Sequence, residues 1–397
     1  MSAVPSARSH PLHFAAFIII NTTADPVAGS WRPALPRQTD FDDLERWVRL
    51  ARTLERGKFD AVFFAGAAGL QARRSREEGG YAGGSFRTPG SDASVLAGAI
   101  AYVTRHLGIA FTASAGQEDP LNFARRISNL DHASKGRIAW NVTDDPPGAW
   151  TEEYVDVTYK LWEGSWDEDA LRPGGRDGDY GREGKVHRIN HRGPRYQVAG
   201  PHPVSPSPQR TPLLFRAAAS EADRVFAARN AEVVLIQSPS PAAAGHDTAD
   251  IRARSARHGR LLQDIMFFQG LHVVTGGTEA EARRKAAALE EQAGGAPLSS
   301  CTAAGGRIVG TPEQIADELA AWRDAGLDGV NLVNAGRSPA PYEEFVDHVV
   351  PVLQGRGLMQ REYADGSLRH KLFGRGDRVS ERHPAACYRG AFAPQHV

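Results

Sequence analysis

The stretch FDDLERWVRLARTLERGKFDAVFFAGA, residues 41–67, holds one complete helix-to-strand unit. Leu44, Trp47, Val48, Ala51 and Leu54 recur at helical spacing and predict a helix over 41–56 with one apolar stripe. Gly57 supplies its C-terminal stop. Beyond it the apolar run 61–67 reads as a strand buried on both faces, as in a parallel sheet covered by helices.

The same alternation runs along most of the chain. Further strands are expected at 13–20, 107–114, 137–143, 212–219, 232–238, 264–274 and 329–335. Helices are expected between them at 92–105, 120–133, 152–162, 221–229, 247–258, 278–292, 311–325 and 342–354. In 152–162 the buried side is Tyr154, Val157 and Leu161; in 311–325 it is Ile315, Leu319 and Trp322, behind a Thr311 cap and Pro312. Eight strands alternating with helices predict an α/β fold, a (β/α)8 TIM barrel. A doubly wound sheet is the runner-up, but its glycine-rich fingerprint is missing after the first strand, where Asn21-Thr22-Thr23-Ala24-Asp25-Pro26 stands. Residues 1–373 are expected to form this single barrel. Residues 164–210 form an excursion between the fourth helix and fifth strand, with a hairpin around Val186–Val198. Residues 374–397, polar with scattered Gly and Pro, read as a mobile tail or an oligomer arm.

The 397 residues carry 47 basic and 47 acidic side chains, so no net charge draws the chain to nucleic acid or an anionic membrane. Hydrophobic residues at 41% and charged ones at 24% fit a packed protein rather than a disordered one. Cys301 and Cys387 cannot build a disulfide framework, and no Cys/His cluster has zinc-ligand spacing. The apolar run 13–20 is too short for a membrane span and lacks the flanks of a signal peptide. A cytoplasmic protein is expected, with no metal. His187-x-x-x-His191 lacks a glutamate after its first histidine, and Gly79-Gly80 with Gly83-Gly84 reads as a solvated loop near Arg73, Arg74 and Arg76.

In a barrel of this kind the working residues lie at the C-terminal ends of the strands. Those ends carry Ala65-Gly66, Ser114-Ala115-Gly116, Asn141-Val142-Thr143, Ala219-Ser220, Gln237-Ser238, His272 and Asn331. The set is polar and poor in charge, without paired carboxylates or a Ser/His/Asp arrangement. Such a site suggests that a cofactor carries the hard chemistry. His272 is the candidate for local acid/base help, or else a satisfied core histidine.

Ordered blocks then point to a family. Leu54-Glu55-Arg56-Gly57-Lys58-Phe59-Asp60-Ala61-Val62-Phe63 is one, and Leu130-Asp131-His132-Ala133-Ser134-Lys135-Gly136-Arg137-Ile138-Ala139-Trp140-Asn141 another. Leu161-Trp162, Gly200-Pro201, Pro208-Gln209, Gly310-Thr311-Pro312-Glu313-Gln314-Ile315, Val349-Val350-Pro351 and Ser367-Leu368-Arg369 follow in order. Across roughly residues 13–373 the chain resembles the bacterial-luciferase superfamily. It is most similar to the branch with nitrilotriacetate monooxygenase, pristinamycin synthase and dibenzothiophene sulfone monooxygenase. The resemblance implies a luciferase-like barrel that takes reduced FMN from a separate flavin reductase and oxygenates a small organic molecule. It also implies pairing of chains, as a homodimer or a heterodimer with a related chain.

Carried onto this sequence, the flavin contacts are Ser114, Asn141 and Ser220, with Arg216 or Arg224 offering charge-assisted bonds to a phosphate. Several positions depart from the family. Gly66 stands where it has an acidic residue, the His- and Tyr-bearing segment after Asn141 is missing, and Asp223 replaces a glycine beside Ser220. The long insertion between Leu289 and Gly310 is mostly absent. These losses describe a degraded flavin site. They leave open a barrel without flavin oxygenation, serving as a partner subunit, a ligand-binding protein or a flavin-independent enzyme. Hydride transfer with a deazaflavin is a third reading.

Overall fold

The computed structural model describes residues 10–19, 43–66, 92–144, 150–171, 182, 184–292, 305–333 and 340–394. Strand β1 (His13–Ile19) leads through α1 (Leu44–Arg56) to β2 (Ala61–Ala65), then α2 (Ala93–Val103), β3 (Gly108–Ser114), α3 (Pro120–Ser134) and β4 (Ile138–Thr143). Helix α4 (Trp150–Tyr159) passes into one π turn, Lys160–Gly164. A small antiparallel hairpin, β5 (His191–Arg192) and β6 (Gln197–Val198), precedes β7 (Leu213–Ala217), α5 (Glu221–Asn230), β8 (Val233–Ile236) and α6 (Pro241–Arg257). The remaining order is β9 (Met266–Thr275), α7 (Glu279–Gln292), β10 (Gly306–Gly310), α8 (Pro312–Asp324), β11 (Gly329–Val333), α9 (Ala340–Glu344), α10 (Val350–Gly355) and α11 (Leu368–Phe373).

Parallel pairing runs β1-β2-β3-β4-β7-β8-β9-β11 and returns from β11 to β1, closing an eight-stranded barrel. All eight predicted strands are present. The ninth parallel strand, β10, was not expected. It pairs with the second half of β9, Leu271–Thr275, where β8 has already ended. Gln269 ties that split: its amide donates to the Ser238 carbonyl at 3.0 Å and its carbonyl accepts from the Ser238 N–H at 3.1 Å. Gly305 enters β10 so close to the end of β8 that a Cβ there would lie 2.2 Å from the Gln237 carbonyl carbon.

Strand alternation sorts the core into two layers. Phe14, Ile18, Val62, Phe64, Ile109, Phe111, Trp140, Val330 and Leu332 pack outward against the helices. Ala15, Ala61, Phe63, Ala110, Ala139, Leu213, Phe215, Val233, Leu235 and Phe268 fill the lumen. Leu368 and Leu372 of α11 plug its N-terminal end, where Gly108 has no room for a side chain against Leu368. No helix among the described residues is long and apolar enough to cross a membrane.

Side-chain caps start the helices: Asp43 for α1, Asp92 for α2, Asp119 for α3 and the reciprocal Thr311–Gln314 box for α8. The stripe of α1 is rotated from the expected one, with Leu50 buried and Leu44 49% exposed. Two findings concern connections. The excursion has its hairpin, narrower than predicted and joined by a Trp166–Val186 bridge. The segment expected as a mobile tail or an oligomer arm packs on its own barrel through residue 394, pinned by Arg378 and Arg389 on Glu163 and by Arg375 and Arg382 on Asp264.

Candidate functional site at the C-terminal end of the barrel

Inward alternation brings Thr112 and Ser114 of β3, Asn141 of β4, His272 of β9 and Asn331 of β11 into the upper lumen. Each lies no more than three residues from the C-terminal end of its strand. Their floor is aromatic: Phe63 meets Phe215 at 5.7 Å between ring centres, and Phe215 meets Phe268 at 6.2 Å. The β1–β2 wall is a stacked pair, Phe17 on Phe63 at 5.3 Å.

Three buried polar atoms in this chamber have no hydrogen-bond partner among the described residues: Asn141 Oδ1, His272 Nε2 and Asn331 Oδ1. All three side chains are almost fully buried. An unsatisfied buried acceptor costs about 1–3 kcal/mol, so a cluster of them marks a place for a ligand. Asn141 uses its amide nitrogen on the Thr112 hydroxyl at 3.1 Å, which fixes its carbonyl as the outward-facing acceptor. Burial lowers the pKa of His272 to about 4, only partly offset by a hydrogen bond to the Val333 backbone. The ring is therefore neutral at pH 7. With the other ring nitrogen engaged on the backbone, Nε2 presents a lone pair.

The other sequence candidates lie elsewhere. Ser220 caps α5, accepting from the Asp223 N–H at 3.2 Å, and is exposed. Its N–H and hydroxyl both donate to Asp223 Oδ2, at 2.9 and 2.7 Å, so a carboxylate already sits on this helix N-terminus. Arg216 faces outward from β7, over the Phe226 ring, because its neighbour Phe215 takes the lumen side. Its guanidinium is held by Asp223 at 2.5 Å and Asp144 at 2.9 Å. Arg224 is held by Asp247 at 2.8 Å and Asp250 at 3.4 Å. Both arginines offered for a phosphate are thus ion-paired with carboxylates.

His187 bonds Asp167 and His191 bonds Glu153, so the two histidines of the spaced pair go to different partners. The glycine pairs at 79–84, with Arg73, Arg74 and Arg76, lie outside the described residues. Asn331 was visible as a strand end but had no assigned role. The signal that singles it out is its buried, unpaired oxygen, which sequence cannot show. A cavity of about 490 Å³ lies at the opposite end of the barrel, lined by Arg260, Arg369, Arg375, Arg382, Glu232 and Asp264. Its charges pair across the seam with the C-terminal segment, so it reads as a structural joint rather than the reaction site.

A parallel barrel that keeps three buried, unpartnered polar atoms in its lumen toward the C-terminal ends of the strands has the architecture of a barrel enzyme with its site there. The luciferase-like monooxygenase family matches residues 12–329, and the chain belongs to it. It is 36% identical to long-chain alkane monooxygenase of Geobacillus thermodenitrificans, over 95% of this chain and 98% of that protein. It is 35% identical to dimethyl-sulfide monooxygenase of Hyphomicrobium sulfonivorans, over 92% and 91%. The crystal structure of riboflavin lyase with modified FMN and riboflavin superposes with a TM-score of 0.84 at 28% identity, covering 96% of this chain and 99% of that one. The branch expected from the motifs is represented as well, by nitrilotriacetate and dibenzothiophene-sulfone monooxygenases and by pristinamycin IIA synthase subunits A and B.

Proposed function

We propose that this chain is a cytoplasmic monooxygenase that uses reduced FMN from a separate flavin reductase to oxygenate a small organic molecule at the C-terminal end of its barrel. The observation that carries this is the unpaired acceptor Asn141 Oδ1, buried at the position where the family resemblance places a flavin contact. An amide carbonyl fits the imide N–H of a flavin ring. When bound, the reduced flavin supplies the oxygen chemistry. The chain's own part is to orient and to dry the chamber. Thr112 fixes Asn141, the Phe17–Phe63 and Phe215–Phe268 walls exclude water, and neutral His272 accepts or returns a proton at Nε2. Coupled assay with a flavin reductase tests this: product should form in step with reduced FMN, and Asn141→Leu should lower kcat/KM about a hundredfold. No product from the wild-type chain across a panel of small amines, sulfides and hydrocarbons would contradict it.

The phosphate end does not fit α5, because Asp223 occupies that N-terminus and Arg216 is neutralised. This also favours the second reading, a barrel without flavin oxygenation. The two are separable. Asp223→Ser removes one negative charge and releases one side of Arg216, so FMN affinity should rise about tenfold relative to riboflavin. An unchanged FMN-to-riboflavin ratio would place the phosphate away from this helix.

Pairing belongs to the same proposal. Helix α2 carries no charged residue, and Val95 and Tyr102, 72% and 92% exposed, share its outer face with Gly98. That apolar face supports a dimer, with a second copy or with a related chain.

A further inference from the structure

The chamber described above is unusual in the sign of its unmet needs. Asn141 Oδ1 and Asn331 Oδ1 are acceptors by nature, and His272 Nε2 is one because the ring is neutral and its other nitrogen is engaged. The three buried atoms left without a partner here are all acceptors. Asn141 lies on β4, on the side of Thr112 and Ser114. His272 and Asn331 lie on the opposite side, on the paired strands β9 and β11. There Asn331 stands beside Gly270 and Val333 beside His272. Gly270 adds no side chain between them, so the two polar groups are lumen neighbours one step apart along the barrel.

Between these polar sides the walls are apolar and small. Ala15, Ala61 and Ala65 line the β1–β2 side below and beside the stacked Phe17 and Phe63, and Ala217 and Leu235 line β7 and β8. An occupant of this space needs an apolar body and one polar end. That end must bring hydrogen.

We propose that His272 and Asn331 form a substrate-recognition pair that accepts hydrogen bonds from an N–H or O–H group. The substrate is then a small, mostly apolar molecule bearing one such donor, an amine or alcohol in class. This rests on the flavin reading only in assigning Asn141 to the cofactor. A long-chain alkane or dimethyl sulfide, the compounds named for two relatives, carries no donor and would leave both acceptors buried and unpaired. Rejection on that ground is strong in general, because a buried group left without its partner forfeits its full desolvation cost.

The test uses the purified full chain without flavin, titrated calorimetrically with hexylamine, hexanol, hexane and dipropyl sulfide. The amine and alcohol should bind at least tenfold more tightly than the hydrocarbon and thioether. Asn331→Leu, which keeps the volume and removes the acceptor, should erase that preference while leaving hexane affinity equal or better. Asn331→Asp, which retains an acceptor, should keep it. Equal binding of all four ligands by the wild-type chain would overturn the proposal, as would a uniform loss in Asn331→Leu or no binding of any of them. Because no flavin is present, failure of FMN to bind in a separate titration leaves this result standing, and the reverse holds too.

Discussion

Glu163→Ala should destabilise the protein by about 3–5 kcal/mol, the cost of stripping a buried ion-pair network of its shared acid. The Glu163 side chain is fully buried. Burial alone would raise its pKa, but Arg378 and Arg389 overcome that and hold it down to about 2. One carboxylate oxygen accepts from Arg378 at 2.6 Å and from Arg389 at 2.9 Å. The other accepts from the Thr211 hydroxyl at 2.8 Å. This residue therefore joins the end of the fourth helix, the entry to β7 and the C-terminal segment. Its removal leaves the two guanidinium groups in a half-buried seam with only the exposed Glu168 for Arg378 and the exposed Glu381 for Arg389. Urea unfolding followed by circular dichroism measures the loss, and Glu163→Gln, which keeps shape without charge, should show most of it. A change below about 1 kcal/mol would mean that the C-terminal segment is not anchored as described.

Acid should have a comparable or larger effect through three buried histidines. Burial holds His202, His272 and His383 each at a pKa of about 4, against 6.5 for an unperturbed histidine. His383 is fixed neutral from both sides, bonding the Asn230 carbonyl at 2.8 Å and accepting from the Ala385 N–H at 3.1 Å. Below pH 6.5 the unfolded chain binds protons that the folded chain refuses. The stability these groups contribute is thus complete above 6.5 and lost as pH falls toward 4. Each accounts for about 3 kcal/mol over that window. His13 opposes them: although its burial favours the neutral ring, Asp60 raises its pKa, so its contribution is complete below 6.5 and fades at higher pH. Unfolding midpoints should drop steeply between pH 6.5 and 4.5, and decline only slightly above 6.5 as the His13 contribution fades. His202→Gln should remove about a third of that slope. Stability unchanged from pH 7 to 5 would refute the neutral, buried assignment.

The barrel was legible because its strands are buried on both faces and so appear as unbroken apolar runs. The same property hid the direction of each side chain. In β7 nothing local says whether Phe215 or Arg216 faces the lumen, and the candidate arginine fell on the outer side. Strand β10 escaped notice because GRIVG is short, bounded by glycine and carries the exposed Arg307. The packed C-terminal segment looked like a loose tail because its partners, Glu163 and Asp264, lie more than a hundred residues away. Many blocks that carry the family resemblance are scaffold joints. Asp131 accepts from the Gln209 side chain at 2.7 Å, and Arg369 clasps Glu232 at 2.7 Å. They define the fold and say little about the chamber, whose identity rests on unpaired atoms that only the folded chain brings together.

In the proposed function the upper lumen holds a reduced flavin against Asn141. Anaerobic titration of the purified protein with reduced FMN, followed by absorbance and fluorescence, tests it most directly. Binding should saturate at one flavin per chain and be about tenfold weaker in Asn141→Leu. Titration without saturation at high micromolar flavin, or equal affinity in that variant, would contradict it.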